Sequence, residues 1–217
     1  MNQETRDKLK TISVATLATA LYKRGLRNQV IQGVHPLGYK GTNMVGPAFT
    51  LRYMPAREDR NQLVEFRNPA HPQRVAIETC PPGHVMVIDS RKDASAASAG
   101  DILVTRLMVR GGAGIVSDGG FRDAATIAEL DIPAYHTRPS SPTNPTKHEA
   151  IEINGPIGRG DAPVFPGDII VGDADCVIVI PAGIAAEPAT EAVETTASAD
   201  FVAGQVQAGP TPYGAYP

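Results

Sequence analysis

Apolar residues recur along the chain at helical and at strand-like spacings, and the changes between the two mark out its elements. Leu9, Ile12, Leu17, Leu21 and Leu26 follow a helical period and predict two short N-terminal helices, the second opened by Ser13 or Thr16 as a cap and closed near Gly25. Gly46 to Tyr53 reads as a strand. Between 54 and 74 charges, Asn and Pro replace the pattern, which predicts an inserted long loop, or a loop with one helical turn. Pro81-Pro82-Gly83 punctuates the chain before Val85-Met86-Val87-Ile88-Asp89, a continuous apolar strand of the kind buried on both faces. The small residues Ala94 to Gly100 permit close backbone approach. Ile102, Leu103, Leu107 and Met108 then give a helix over 102–110 that stops at Gly111-Gly112, so Asp101 falls at a helix N-terminus.

A strand over 114–118, a helix over 123–130 (Ala124, Ile127, Ala128, Leu130) and the short run Pro133-Ala134-Tyr135 continue in strand–helix–strand order. They define an α/β core that ends in a Pro-rich loop from Pro139 to Pro145. Ile151–Ile153, Ala162–Val164, Asp168–Val171 and Val177–Ile180 predict a β-rich layer. After Pro181 the Ala- and Glu-rich sequence to about Gln205 predicts a helix, and 206–217 an extended arm. With 217 residues and no internal repeat, one domain is expected, large enough to bury a core without disulfides.

Composition adjusts this picture in three places. The 21 Gly and 19 Pro imply many tight turns and short elements. A net charge of -3, with the 20 basic residues scattered, argues against a nucleic-acid surface. Cys80 and Cys176 lie far apart with no CxxC or Cys/His spacing, which favours buried thiols over a disulfide or zinc. The charged N-terminus lacks the apolar stretch of a secretory signal, and no apolar run approaches the roughly 20 residues of a membrane span. A cytoplasmic protein without membrane association is expected.

The candidate chemistry lies at Asp101 and, after twenty intervening residues, Arg122-Asp123. A buried strand that runs through Gly119-Gly120 into a helix delivers its next polar residues to one rim of a sheet, and glycines there leave room for a ligand. Two carboxylates and a guanidinium on that rim can hold a divalent cation with an anionic substrate. The amides around Asp101, Ile102 and Leu103, at the start of a helix, favour a carboxylate. The plainer alternative is a helix cap and a surface ion pair, a pair that contributes only about 0–1 kcal/mol.

Other acidic residues invite local readings. Asp89 and Asp118 end strands, where Asp commonly bonds turn amides. Pro166-Gly167-Asp168 and Gly172-Asp173-Ala174-Asp175 lack the calcium-loop pattern and look like hairpin turns. His136, just past a strand, and His148, in a polar loop, have no partner at metal-site spacing. The glycine clusters match neither a P-loop nor a dinucleotide fingerprint, and no Gly-x-Ser-x-Gly elbow is present.

These residues resemble a known group, the proteins related to regulator of ribonuclease activity A (RraA-like), which include divalent-metal class II pyruvate aldolases. The likeness rests on Gly46-Pro47-Ala48-Phe49-Thr50, on Pro82-Gly83-His84 with the strand after it, and on Gly100-Asp101-Ile102-Leu103. Further along it rests on Gly119-Gly120-Phe121-Arg122-Asp123, Pro166-Gly167-Asp168 and Gly172 to Pro181, so that it covers most of residues 10–200. The resemblance implies an α/β/α sandwich with a swivelling-domain-like β core, assembled as a homotrimer or homohexamer with sites between subunits. It implies that Asp123 binds Mg²⁺ or Mn²⁺ directly, that Asp101 does so through water, and that Arg122 contacts the pyruvyl part of a 2-oxo acid, beside Gly100, Asp101, Ile102 and Leu103. Family members that only regulate the ribonuclease typically lack the aspartate after the arginine, so Asp123 favours the enzyme branch. The sequence departs from the family in the 54–74 insertion, in Cys176 where glycine is usual, and in its C-terminal helix. There Glu194, with Asp200 next, stands for the glutamate offered to a neighbouring subunit's metal.

The resemblance thus implies an aldolase that cleaves a 4-hydroxy-2-oxo acid, of the 4-hydroxy-4-methyl-2-oxoglutarate or 4-carboxy-4-hydroxy-2-oxoadipate type, to pyruvate. Such cleavage leaves an enolate whose charge needs a Lewis acid and a fixed cation. Oxaloacetate decarboxylation passes through the same enolate and is the expected side activity. The alternatives are a non-catalytic regulator that binds a ribonuclease or another enzyme, and a metal-dependent lyase or hydratase acting on a sugar-acid-derived 2-oxo acid.

Overall fold

The computed structural model describes residues 1–159 and 162–207. Helices α1 (Gln3–Leu9) and α2 (Val14–Lys23) open the chain where the helical period places them. Asn2 and Ser13 cap them, each side chain accepting from the amide three residues on, at 2.8 Å from Thr5 and 3.2 Å from Thr16. Gly25, at φ 80°, supplies the left-handed residue that ends α2. There follow β1 (Val30–Ile31), β2 (His35–Leu37), β3 (Met44–Pro55), α3 (Pro72–Thr79), β4 (Val85–Asp89), β5 (Ala97–Ala99) and α4 (Asp101–Val109). Next come β6 (Gly114–Ser117), β7 (Gly120–Phe121), α5 (Ala124–Glu129), β8 (Ala134–His136), β9 (Arg138–Pro139) and β10 (His148–Ile153). The last third holds β11 (Ile157–Arg159), β12 (Ala162–Val164), β13 (Ile169–Gly172), β14 (Val177–Ile180) and α6 (Ala186–Gln207).

The main sheet is curled, with strand order β1-β14-β13-β3-β4-β6-β8-β2. Its centre, β3-β4-β6-β8, is parallel and its flanks are antiparallel. The long strand β3 belongs to three pairings. It meets β13 at Met44–Pro47, β4 at Ala48–Arg52, and β10 at Leu51–Pro55. All five residues of β4 are buried, as its unbroken apolar run predicts, and they face alternate sides. Val85 and Val87 join Met44, Val116, Ile170 and the hairpin residues Ile157, Ala162 and Val164 inside the curl. Met86 and Ile88 face outward, under Ile77 of α3, Val104 and Leu107 of α4 and Ile127 of α5. On the other side Leu17 and Leu21 of α2, with Ala189 and Ala192 of α6, cover Val171, Ile178 and Ile180. The architecture is helix, sheet, helix, and each fully buried large aliphatic side chain contributes roughly 1.5–3 kcal/mol to holding it.

The structure revises several boundaries. β3 runs on to Pro55, and the 54–74 segment holds a 3₁₀ turn at Leu63–Arg67 and the start of α3. The pattern missed α3 because its opening, His71-Pro72-Gln73-Arg74, is polar. Its signal was Pro72 at the first helical position, behind a His71 side chain that accepts from the Gln73 amide at 3.3 Å. His148 opens β10 and is buried, so it does not lie in a polar loop. The turn at 172–175 does join a hairpin, β13 to β14, but 166–168 links strands of different sheets. α6 continues to Gln207, and the rest of the expected arm lies outside the described residues. Among the described residues no helix is long and apolar enough to cross a membrane.

Candidate functional site

A separate small sheet positions the candidate residues. β5, β7 and β9 lie parallel, tied by the Arg122 amide on the Ala99 carbonyl (3.0 Å) and the Ser140 amide on that of Phe121 (2.9 Å). All three release the chain at the same end. β5 runs into Gly100-Asp101 and α4, β7 into Arg122-Asp123 and α5, and β9 into a loop that reaches a 3₁₀ turn at Asn144–Thr146. The carboxyl ends of adjacent parallel strands are where residues distant in sequence converge. A cleft of about 260 Å³ opens there, walled by Gly100, Asp101, Ile102 and Leu103 on one stretch and by Arg122 and Asp123 on another. The twenty-residue spacing therefore does bring both carboxylates and the guanidinium to one opening.

Local conformation sets each group. Asp123 has φ 52° and ψ 37°, a left-handed conformation that Asp tolerates better than most residues, and from it starts α5. Its carboxylate lies against Gly100, where an added Cβ would stand 3.4 Å from Oδ2. Arg122 and Asp123 are exposed, and neither takes part in an ion pair among the described residues. Asp101 is half-buried, and its Oδ1 accepts from the Ile102 amide at 2.8 Å. That amide, one of the three expected to receive an anion, is thus engaged by its neighbour's side chain.

Gly119 and Gly120 serve packing, not ligand approach. A Cβ on Gly119 would meet Ser90 Cβ at 2.8 Å, and one on Gly120 would meet Ser140 Cβ at 2.4 Å, so glycine is what lets these strands close up. The other aspartates hold turns, as their positions suggest. Asp118 accepts from the amides of Ser90 (2.6 Å) and Lys92 (3.2 Å), and Asp89 from that of Arg91 (2.9 Å). Asp168 accepts from Phe165, and Asp173 from Asp175, from Cys176 and from Val14 in the first turn of α2. Cys80 is a buried free thiol that burial pushes up to about 11, while Cys176 is free and only partly covered. Glu194 is exposed on α6, which packs on α1 and α2, and it does not line the cleft of its own chain. Asp200 lies further along the same helix.

The sequence reading missed part of the wall. Gln73 and Arg74 come from α3, Ala97 and Ala99 from β5, and Thr143 and Asn144 from the loop after β9. No spacing announces them, since β5, β7 and β9 are two or three residues long and show no period. Beside them Tyr53 donates to the Ser98 carbonyl at 2.9 Å, and Gln73 Nε2 donates to both Tyr53 Oη (2.9 Å) and that carbonyl (2.6 Å). The His148 ring stacks on Tyr53 at 5.4 Å, and burial holds its pKa below the usual histidine value.

As a donor set, Asp101 and Asp123 suit a hard divalent cation. Mg²⁺ is commonly held by one or two carboxylates while water or substrate fills the other positions. Among the described residues no cluster of three His, Cys, Asp or Glu is gathered to hold a metal.

The RraA-like family model, described as Aldolase/RraA, matches residues 14–179. The chain is 34% identical over 174 residues to a protein of Halalkalibacterium halodurans named "Putative 4-hydroxy-4-methyl-2-oxoglutarate aldolase", covering 80% of this chain and 75% of that one. Among solved structures it is similar to Streptomyces coelicolor RraAS2, described as an unusual member of the RNase ES inhibitor RraA protein family. The two share 29% identity and a TM-score of 0.81, over 93% of this chain and 96% of the other. The fold also matches an uncharacterized protein of Pseudomonas syringae pv. tomato, with a TM-score of 0.85 at 23% identity over 99% of this chain and 93% of that one. The chain belongs to the RraA-like family.

Proposed function

We propose that this protein is a divalent-metal-dependent class II pyruvate aldolase. Its substrate is a 4-hydroxy-2-oxo acid of the 4-hydroxy-4-methyl-2-oxoglutarate or 4-carboxy-4-hydroxy-2-oxoadipate type, with oxaloacetate decarboxylation as a side activity. The observation that carries the reading is the cleft at the ends of β5 and β7, where Asp101, Arg122 and Asp123 meet with no ion pair among them. The name of the Halalkalibacterium relative supports it.

Asp123 would hold Mg²⁺ or Mn²⁺ directly and Asp101 through water, with Glu194 of a neighbouring subunit in a homotrimer or homohexamer. When bound, the cation supplies Lewis acidity toward a 2-oxo acid. Arg122, a planar fork with no carboxylate partner among the described residues, would steady the charge that develops on the enolate oxygen as the C3–C4 bond breaks. The first turn of α4 would receive the substrate carboxylate at the amides of Asp101, Ile102 and Leu103, displacing Asp101 Oδ1 from the Ile102 amide. Released from that contact, Asp101 would position a water that takes the C4 hydroxyl proton as the C3–C4 bond breaks, and a proton is then delivered to C3 of the enolate.

The test is pyruvate release from 4-hydroxy-4-methyl-2-oxoglutarate and from oxaloacetate, with Mg²⁺, with Mn²⁺ and with EDTA. Metal-dependent release supports the aldolase, and no pyruvate under any metal refutes it. The likeness to RraAS2 keeps a regulatory reading in view. That reading predicts metal-independent binding to a ribonuclease and no pyruvate.

A further inference from the structure

β5 is the edge of the small sheet and pairs with β7 alone. Its middle residue, Ser98, is fully buried and ties two parts of the molecule together. The Ser98 carbonyl accepts from Tyr53 Oη of β3 at 2.9 Å and from Gln73 Nε2 of α3 at 2.6 Å, and Gln73 Nε2 also donates to Tyr53 Oη at 2.9 Å. The Ser98 hydroxyl donates to the Gly120 carbonyl of β7 at 2.9 Å and meets Ser117 Oγ. Both donors to the carbonyl are rooted in the main body. Tyr53 is 2% exposed and stacked on His148, and α3 packs into the core through Ala76 and Ile77.

Both arms of the cleft start at this anchor. Asp101 follows Ser98 by three residues and Arg122 follows Gly120 by two, and the Ala99 carbonyl accepts from the Arg122 amide at 3.0 Å. Gln73 itself lies in the cleft wall, buried at 3% exposure, with both hydrogens of its amide engaged in the triangle with Tyr53 and Ser98. An apolar side chain of the same size would fill that space, but only directed bonds fix where the Ser98 carbonyl points.

We propose that Gln73, with Tyr53, is a positioning residue: by fixing Ser98 it sets the distance between the arm that carries Asp101 and the arm that carries Arg122 and Asp123. The proposal rests on the aldolase reading for what the two arms do. Cleavage of the C3–C4 bond needs both at once, the water positioned by Asp101 for the C4 hydroxyl and Arg122 for the enolate oxygen, whereas oxaloacetate decarboxylation has no hydroxyl proton to remove. Loss of the anchor therefore weighs more on cleavage than on decarboxylation.

Gln73→Leu nearly keeps the volume and removes both donors. With Mg²⁺, its kcat for cleavage of 4-hydroxy-4-methyl-2-oxoglutarate should fall about 100-fold, as a misplacement near 1 Å implies, with KM changed less than about threefold and oxaloacetate decarboxylation reduced only about tenfold. Tyr53→Phe, which leaves Gln73 on Ser98, should lose about fivefold in cleavage, and it decides the case if Gln73→Leu does not fold. Gln73→Glu should be as slow as Gln73→Leu near about pH 8 and recover relative to wild type toward about pH 6, because a buried carboxyl titrates high and only its neutral form donates to the Ser98 carbonyl. Equal losses in both reactions per folded molecule, with no pH-dependent recovery, would mark a merely structural residue and overturn the proposal. Amide exchange in the substrate-free protein separates this from failure of the aldolase reading. The Arg122 amide should exchange about tenfold faster in Gln73→Leu than in wild type. That acceleration in a protein whose wild type releases no pyruvate would refute the reaction and keep the anchor, and an unchanged Arg122 exchange rate would overturn the anchor whatever the activity.

Discussion

Two turns in this molecule carry aspartates at strand ends beside glycine, and they do opposite things. In the turn after β4 and β6, Asp118 is 3% exposed and both its oxygens accept from backbone amides. In the cleft after β5 and β7, Asp123 is exposed, sits in a left-handed conformation and takes part in no ion pair among the described residues. The local sequences, Ser117-Asp118-Gly119 and Arg122-Asp123-Ala124, are only five residues apart. What separates the two is whether the fold offers the carboxylate a donor. A carboxylate with amides at hand stabilises its turn, whereas an exposed one without protein donors is solvated and open to the ligand proposed above.

The comparison breaks if the two aspartates behave alike. Asp123→Ala should lower kcat/KM for pyruvate release by about 10³-fold with circular dichroism unchanged, and should lower the melting temperature by only a few degrees, the cost of placing Ala in a left-handed conformation. Asp118→Ala should do the reverse. It removes the acceptor of two amides and should cost about 2–4 kcal/mol in urea unfolding, with activity per folded molecule retained. Arg122→Lys should lose roughly 30- to 100-fold in kcat, because a point charge replaces the fork, and steady-state kinetics will show it.

The smallest effect concerns pH. Burial pushes His136 down to about 4 from an ordinary 6.5, so the unfolded chain binds more protons between these values. Stability is then fully present above about pH 6.5 and falls as pH drops toward 4, by on the order of 2–3 kcal/mol. His136→Gln should flatten that slope in unfolding curves measured across the window.

Much of this was legible in the sequence. The helical periods of α1, α2, α4 and α5 and the unbroken apolar run of β4 are consequences of which faces are buried, so pattern recovers them. Asp101 was legible because the helical period of α4 starts beside it, and Arg122-Asp123 because the apolar run of β6 and the helical period of α5 flank it. The small sheet was not, because β5, β7 and β9 are held by glycine-permitted close packing and not by an apolar period. Gln73 and Arg74 were hidden for a related reason. α3 opens on polar residues, so only the folded chain reveals that they line the same cleft.

The most direct measurement of the central claim is hydrogen–deuterium exchange at the methyl group of pyruvate in D₂O, followed by NMR, since that exchange requires the enolate itself. With Mg²⁺ the wild-type protein and Asp118→Ala should exchange at equal rates per folded molecule, and Asp123→Ala should not exchange above background. Exchange that survives in Asp123→Ala, or is absent from the wild-type protein under every divalent metal, would contradict the account.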